Sequence, residues 1–129
     1  MDLRTLAAIF VGGAAGALAR VGLDVLFPAA NGTWPWTTFA INISGSFVLG
    51  YVATRFQGHP PDSSYRRPLL GTGLCGTYTT FSTMQVEILA MLDHGRAGLA
   101  AAYALSSILA GLTAVVLGTG VVRRRRVQR

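Results

Sequence analysis

Lysine is absent from this 129-residue chain, and acids are scarce: eleven basic residues, all Arg, face five Asp and Glu. Charged residues reach only 12% while hydrophobic ones make up 51%. A water-soluble domain carries about a quarter charged, so the shortage excludes both a disordered chain and an ordinary soluble one. Cysteine is nearly absent too. Cys75 stands alone, so no intramolecular disulfide and no cysteine-based zinc motif can form, and its place inside an apolar segment suits a buried small thiol. Catalytic groups are equally sparse. His59 and His94 fall in loops expected on opposite sides of a membrane, so they cannot share a metal. Ser82 has no buried His or Lys near it in sequence to activate it, so an intramembrane hydrolase is disfavoured and no enzyme is expected. A net charge of +6 would suit nucleic acid, but the arginines sit at the ends of apolar runs. The expected partner is membrane lipid, and no nucleic acid.

What is present is four apolar segments, about 6–26, 37–56, 68–92 and 97–122. Each is close to the roughly 20 residues that cross a bilayer. The expected architecture is an all-α membrane protein with four transmembrane helices. A single integral membrane domain covers 1–129, with a basic cytoplasmic tail over 123–129. Ala17-Leu18-Ala19 also fits a signal-cleavage pattern, but the apolar run continues past it. Nine arginines fall on one side: Arg4, Arg55, Arg66, Arg67, Arg123, Arg124, Arg125, Arg126 and Arg129. The other side holds only Arg96. The positive-inside rule then puts both termini in the cytoplasm of a multi-pass protein of the cell membrane.

The third segment is unusual in its middle. Gly71 to Thr83 contains three glycines, five threonines and a serine, all poor helix formers. A weakened helix in hydrocarbon leaves backbone groups that no water can satisfy, which is tolerated only beside protein or an aqueous or ionic path. The third helix is therefore expected to be broken at a functional site. In the first segment Gly12, Gly16, Arg20 and Asp24 recur at every fourth residue. The glycines allow close helix approach, and Arg20 on the same stripe faces protein or a water-filled vestibule, or else pairs with Asp24 one turn on. Trp34 and Trp36 fit an interfacial aromatic belt. Asn42, Gly45 and Ser46 share a face of the second segment. Asn42 either makes an interhelical hydrogen bond or meets an ion. Glu87 is the acid of the third segment, and Tyr103, Ser107 and Gly111 lie one turn apart on the fourth.

These spans hold many neutral donors: Asn42, Ser46, Thr79, Thr80, Ser82, Thr83, Tyr103 and Ser107. Such groups can bind an anion without a fixed charge that would trap it. Phe81 and Tyr78 add ring edges of partial positive character. Passage of a small anion follows, through an oligomer, since four helices are few to enclose a pore. A small four-helix multidrug exporter would want an acid deep in the first segment, whereas Asp24 lies near its end. A non-conducting membrane subunit is the remaining alternative.

Three stretches together resemble the Fluc/CrcB fluoride-channel family: Gly12 to Arg20, Thr37 to Phe47 with its Asn-x-x-Gly-Ser, and Gly73 to Thr83 with its Thr-Thr-Phe-Ser-Thr core. The resemblance implies a fluoride-specific channel that exports fluoride passively from the cytoplasm and lowers its toxicity. It implies an antiparallel dimer of dual-topology type with two pores. It also implies a structural sodium ion, not transported, held by the backbone carbonyls of Gly76 and Thr79. Asn42, Phe81 and Ser107 map to the fluoride pore, beside Thr80, Ser82, Thr83 and Tyr103, and Arg20 and Glu87 map to its vestibules. The chain departs from the family pattern at Thr77, in place of a second glycine. It departs again at Met84, in place of a second pore phenylalanine, and at Gly111, in place of a hydroxyl. A homodimer of opposed orientations needs little arginine bias. The nine-to-one bias therefore points to a heterodimer with an oppositely oriented paralogue.

Overall fold

The computed structural model describes residues 2–57 and 65–128. His59, the Pro60-Pro61 pair and Arg129 lie outside the described residues. The first helix, α1, runs Leu3–Leu26. Asp2 caps it, its carboxylate accepting from the Thr5 amide at 2.9 Å, one of the four amides that a helix start leaves without an internal partner. Helix α2 runs Trp36–Arg55. The loop between them turns at Gly32, where φ is +73°, a conformation that only glycine adopts without strain.

The apolar segment expected over 68–92 is in four parts. A π-helix, π1, runs Pro68–Cys75 and starts on Pro68; this wide winding is rare and is found mostly in short pieces. It passes directly into a single turn, α3, Gly76–Tyr78. Thr79 and Thr80 are extended, with ψ of 154° and 116°. Helix α4 then runs Phe81–Asp93, capped by the Thr80 hydroxyl, which accepts from the Thr83 amide at 3.2 Å. The last helix, α5, runs Ala97–Val127. Residues Arg123 to Arg126 are thus helical, with Arg124, Arg125 and Arg126 in the last turn of α5. Helices α1 and α5 are each long and apolar enough to cross a membrane.

Packing follows the small residues. A Cβ added at Gly12 would overlap the Leu69 carbonyl, and one at Gly16 would overlap the Leu74 carbonyl and the Thr77 hydroxyl. The α1 glycine stripe therefore presses backbone to backbone on π1. Gly50 meets Val115 and Gly118 meets Phe47 in the same way, joining α2 to α5. Such close approach supplies dispersion where no hydrophobic drive separates helix from lipid. The compact apolar core is small: Met84, Met91, Ala100 and Tyr103, with Trp34, Phe39, Ile88 and Leu99 around it. Large apolar side chains such as Phe10, Leu18, Leu109 and Val116 stand on the outside, as they do in a protein surrounded by lipid or by a second chain. At one end of the bundle the Arg96 guanidinium donates to the Gly32 carbonyl at 2.9 Å. That bond ties the α1–α2 loop to the α4–α5 loop.

Candidate functional site

The two extended residues organise the polar groups of the bundle. Thr80 has neither its amide nor its carbonyl in a helix ladder. Asn42 on α2 replaces both partners: its Oδ1 accepts from the Thr80 amide at 2.8 Å and its Nδ2 donates to the Thr80 carbonyl at 2.9 Å. An amide side chain is the one group able to donate and accept from a single planar end. Gly45, one turn along α2, leaves space filled by the Thr79 side chain. Thr79 closes the other flank, its amide and hydroxyl both donating to the Cys75 carbonyl at 3.1 and 2.9 Å. The Thr80 hydroxyl donates to Thr83 Oγ1 at 2.9 Å and lies 3.4 Å from Ser82 Oγ.

Arg20 reaches the upstream side of this interruption. Its Nε donates to the Thr77 carbonyl at 3.0 Å, at the end of α3, where a cation opposes the negative pole of the helix. Arg20 is therefore directed to backbone and not to Asp24, the pairing left open by sequence. Thr77 also makes a tie of its own. Its hydroxyl donates to the Gly13 carbonyl at 2.7 Å and lies 3.1 Å from the Gly73 carbonyl.

The downstream side is built around Glu87. Thr38 donates to its Oε1 at 2.5 Å and Tyr103 donates to its Oε2 at 2.7 Å. Charge-assisted bonds of this kind are about twice as strong as neutral ones. Tyr103 is fully buried, with the Trp34 ring edge-on at 5.3 Å. Trp34 is thus partly buried against the core, while Trp36 is exposed. Ser107 lies near the Tyr103 hydroxyl, yet its buried Oγ meets no partner in hydrogen-bond geometry. Asp24, Thr38, Thr83 and Glu87 line one cavity of about 250 Å³ under the α1–α2 loop.

The structure thus gathers Asn42, Thr80, Ser82 and Thr83 into one group and Glu87 with Tyr103 into a second, with Ser107 close by. Phe81 stands apart, exposed on the outer surface. Met84 is buried in the apolar core, so at this position the side chain fills space. Gly111 faces Ser46, whose Oγ would lie 3.7 Å from an added Cβ. Gly76 is exposed, with open space where its Cβ would be. Among the described residues no group of three or more His, Cys, Asp or Glu could hold a metal. A resident cation would have to use backbone oxygens instead, and a hard ion takes such oxygens readily. Thr38 and the hydroxyl of Thr77 are the two working groups that sequence reasoning missed. Thr38 lies one turn before Asn42, so helical spacing from Asn42 was the available signal.

A family model described as "CrcB-like protein, Camphor Resistance (CrcB)" matches residues 7–119. A protein of Mycolicibacterium paratuberculosis named "Fluoride-specific ion channel FluC 1" is 59% identical over 128 residues, 99% of this chain and 97% of its own. A Mycobacterium tuberculosis protein of the same name is 58% identical over the same shares. "Fluoride-specific ion channel FluC 3" of Streptomyces avermitilis is 40% identical over 124 residues, 96% of this chain and 61% of its own.

Proposed function

This chain belongs to the CrcB-like family, and we propose that it is a fluoride-specific ion channel of the cell membrane, letting fluoride leave the cytoplasm without an energy source. The single observation that carries the reading is near-complete coverage at 59% identity by a relative bearing that name. The polar groups around Thr80 suit the task. They are neutral hydroxyls and an amide, able to replace the water of a small anion without trapping it.

In this reading all four apolar segments cross the bilayer, the third interrupted at Thr79 and Thr80, and both termini are cytoplasmic. Fluoride moves past Asn42, Thr80, Ser82, Thr83, Tyr103 and Ser107, with Phe81 offering its ring edge. Phe81 is exposed on the isolated chain, so a second, antiparallel copy or paralogue is needed to bring a polar wall against it. Arg20 and Glu87 stand at the vestibules. The carbonyls of Gly76 and Thr79 would hold a structural sodium ion, which would fix the interrupted segments of two chains against each other.

A second reading is that the chain is one half of an obligate heterodimer. The nine-to-one distribution of arginine favours it, because a chain so biased inserts one way. The numbered names among its relatives, such as FluC 1 and FluC 3, are in keeping with paired paralogues. The test is anion release from liposomes containing this chain alone. Rapid fluoride release without chloride release is expected of a self-sufficient channel. No fluoride release from folded protein, restored by an oppositely oriented paralogue, would establish the heterodimer. Chloride release at a comparable rate would overturn fluoride specificity.

A further inference from the structure

We propose that the arginine-lined pocket between the ends of α2 and α5 binds the phosphate of an anionic membrane lipid, whatever ion the pore conducts. The pocket encloses about 250 Å³ and is lined by Tyr51, Arg55, Val122, Arg125 and Arg126. Three of those five side chains are guanidinium groups, and none is a carboxylate. Arg126 is held in place: its Nη2 donates to the Thr54 carbonyl at 2.8 Å and the Arg55 carbonyl at 3.3 Å. That nitrogen satisfies the carbonyl end of α2 and leaves the other donors of the fork. The Arg55 guanidinium lies 5.8 Å from the Phe56 ring centre. Arg125 donates to no acceptor among the described residues. Each guanidinium carries five donors in a planar fork matched to phosphate oxygens. A cavity with this much positive charge and one arginine already fixed is therefore prepared for an anion.

The surroundings say which anion. Val122 and Tyr51 form the wall on the side of the helix bundle. About two turns before Arg55, on the same face of α2, Val48 is exposed. A lipid whose phosphate sits between the arginines would have acyl chains to lay along this apolar side of the helix. A soluble phosphate would gain the first contact and not the second. Basic pockets between helix ends on the arginine-rich face are suited to anionic headgroups, and a tyrosine at their edge presents a ring to the chains and a hydroxyl to the headgroup.

The test uses the purified full chain in neutral detergent, titrated with short-chain phosphatidylglycerol, phosphatidylcholine or inorganic phosphate. Retained lipid is read by native mass spectrometry and stability by thermal unfolding. Phosphatidylglycerol is expected to be retained and to raise the unfolding temperature, with neither effect from the other two. Arg125→Gln and Arg55→Gln should each weaken retention by about fivefold, the effect of one arginine at an anionic surface. Arg124→Gln, on the same turn of α5 but outside the pocket, should change it less than twofold. Equal losses for Arg124→Gln and Arg125→Gln would replace the pocket by a diffuse basic surface and overturn the proposal. Inorganic phosphate stabilising as well as phosphatidylglycerol would overturn the lipid, and equal retention of phosphatidylcholine would overturn the phosphate.

Discussion

The two sides of the Thr79–Thr80 interruption are held by different kinds of contact. Upstream, π1 and α3 lie on α1 through glycine, backbone against backbone. The polar links there, from Arg20 and Thr77, also end on carbonyl oxygens. Downstream, α4 is held by side chains: Thr38 and Tyr103 converge on Glu87, and Met84 and Met91 fill the core. The interruption itself belongs to neither side and depends on Asn42. One apolar segment is thus sensitive to added volume in its first part and to lost donors in its second.

That difference can be broken most severely from upstream. Gly16→Leu places atoms where the Leu74 carbonyl and Thr77 hydroxyl already lie. We expect a loss of about 3 kcal/mol or more, the upper end for overpacking against a rigid wall, seen as loss of a monodisperse peak in size-exclusion chromatography. Gly22→Leu, on the same helix with open space around it, should leave the peak unchanged. Equal behaviour of the two variants would show that α1 does not rest on π1 through its glycines.

Asn42→Ala should come next. It strands the Thr80 amide and carbonyl together, at about 1–3 kcal/mol for each unsatisfied buried group. A large fall in unfolding temperature is expected, along with lost fluoride release from liposomes. Full stability with lost release would assign Asn42 to the ion alone. On the downstream side, Tyr103→Phe and Thr38→Val each remove one bond to Glu87, at about 1.5–3 kcal/mol apiece. Both effects should shrink in a Glu87→Gln background, and a double-mutant cycle measures the coupling. Effects that simply add would mean the three residues are not one unit.

The smallest effect lies at the start of α1. The Thr5 hydroxyl and amide hold the Asp2 carboxyl below its ordinary value of 3.8. A lowered folded value means that the cap contributes fully above the ordinary carboxylate range. Its contribution is lost as pH falls through the lowered value. Protection of the Thr5 amide, its exchange measured against the intrinsic rate at each pH, should fall only in that acid window, and Asp2→Ala should abolish that change in protection. An unchanged profile in Asp2→Ala would remove the cap from the account.

The Gly12-Gly16-Arg20 stripe was legible from spacing, because period four on a helix fixes a face whatever the partner. The partner was not, since π1 has a winding that no local pattern of Pro68 to Cys75 announces. Glycine and β-branched residues raised the expectation of a break between Gly71 and Thr83; the folded segment is wound as π1, the single turn α3, two extended residues and α4. Asn42 itself was visible as a costly polar group, with interhelical bonding and ion contact left open. Only the folded chain shows both ends of its amide on one threonine. Glu87 stood out as an acid in an apolar segment, while Thr38 did not, because a threonine near a helix start is unremarkable until its neighbour is known. Thr77 was visible as a departure from a glycine pattern. That its hydroxyl would reach the Gly13 carbonyl depends on how closely α1 lies, a distance set by glycines far away in sequence.

The reach of Arg126 back to the end of α2 has a consequence for biosynthesis. The bond to Thr54 spans 72 positions of the chain. At a synthesis rate of about 5–20 residues per second, the carbonyls at the end of α2 wait on the order of several seconds for the side chain that covers them. During that interval water or a lipid headgroup must stand in for it. Arg126 therefore acts as a late seal on the end of α2, and a chain lacking that side chain would leave those carbonyls to water or headgroups.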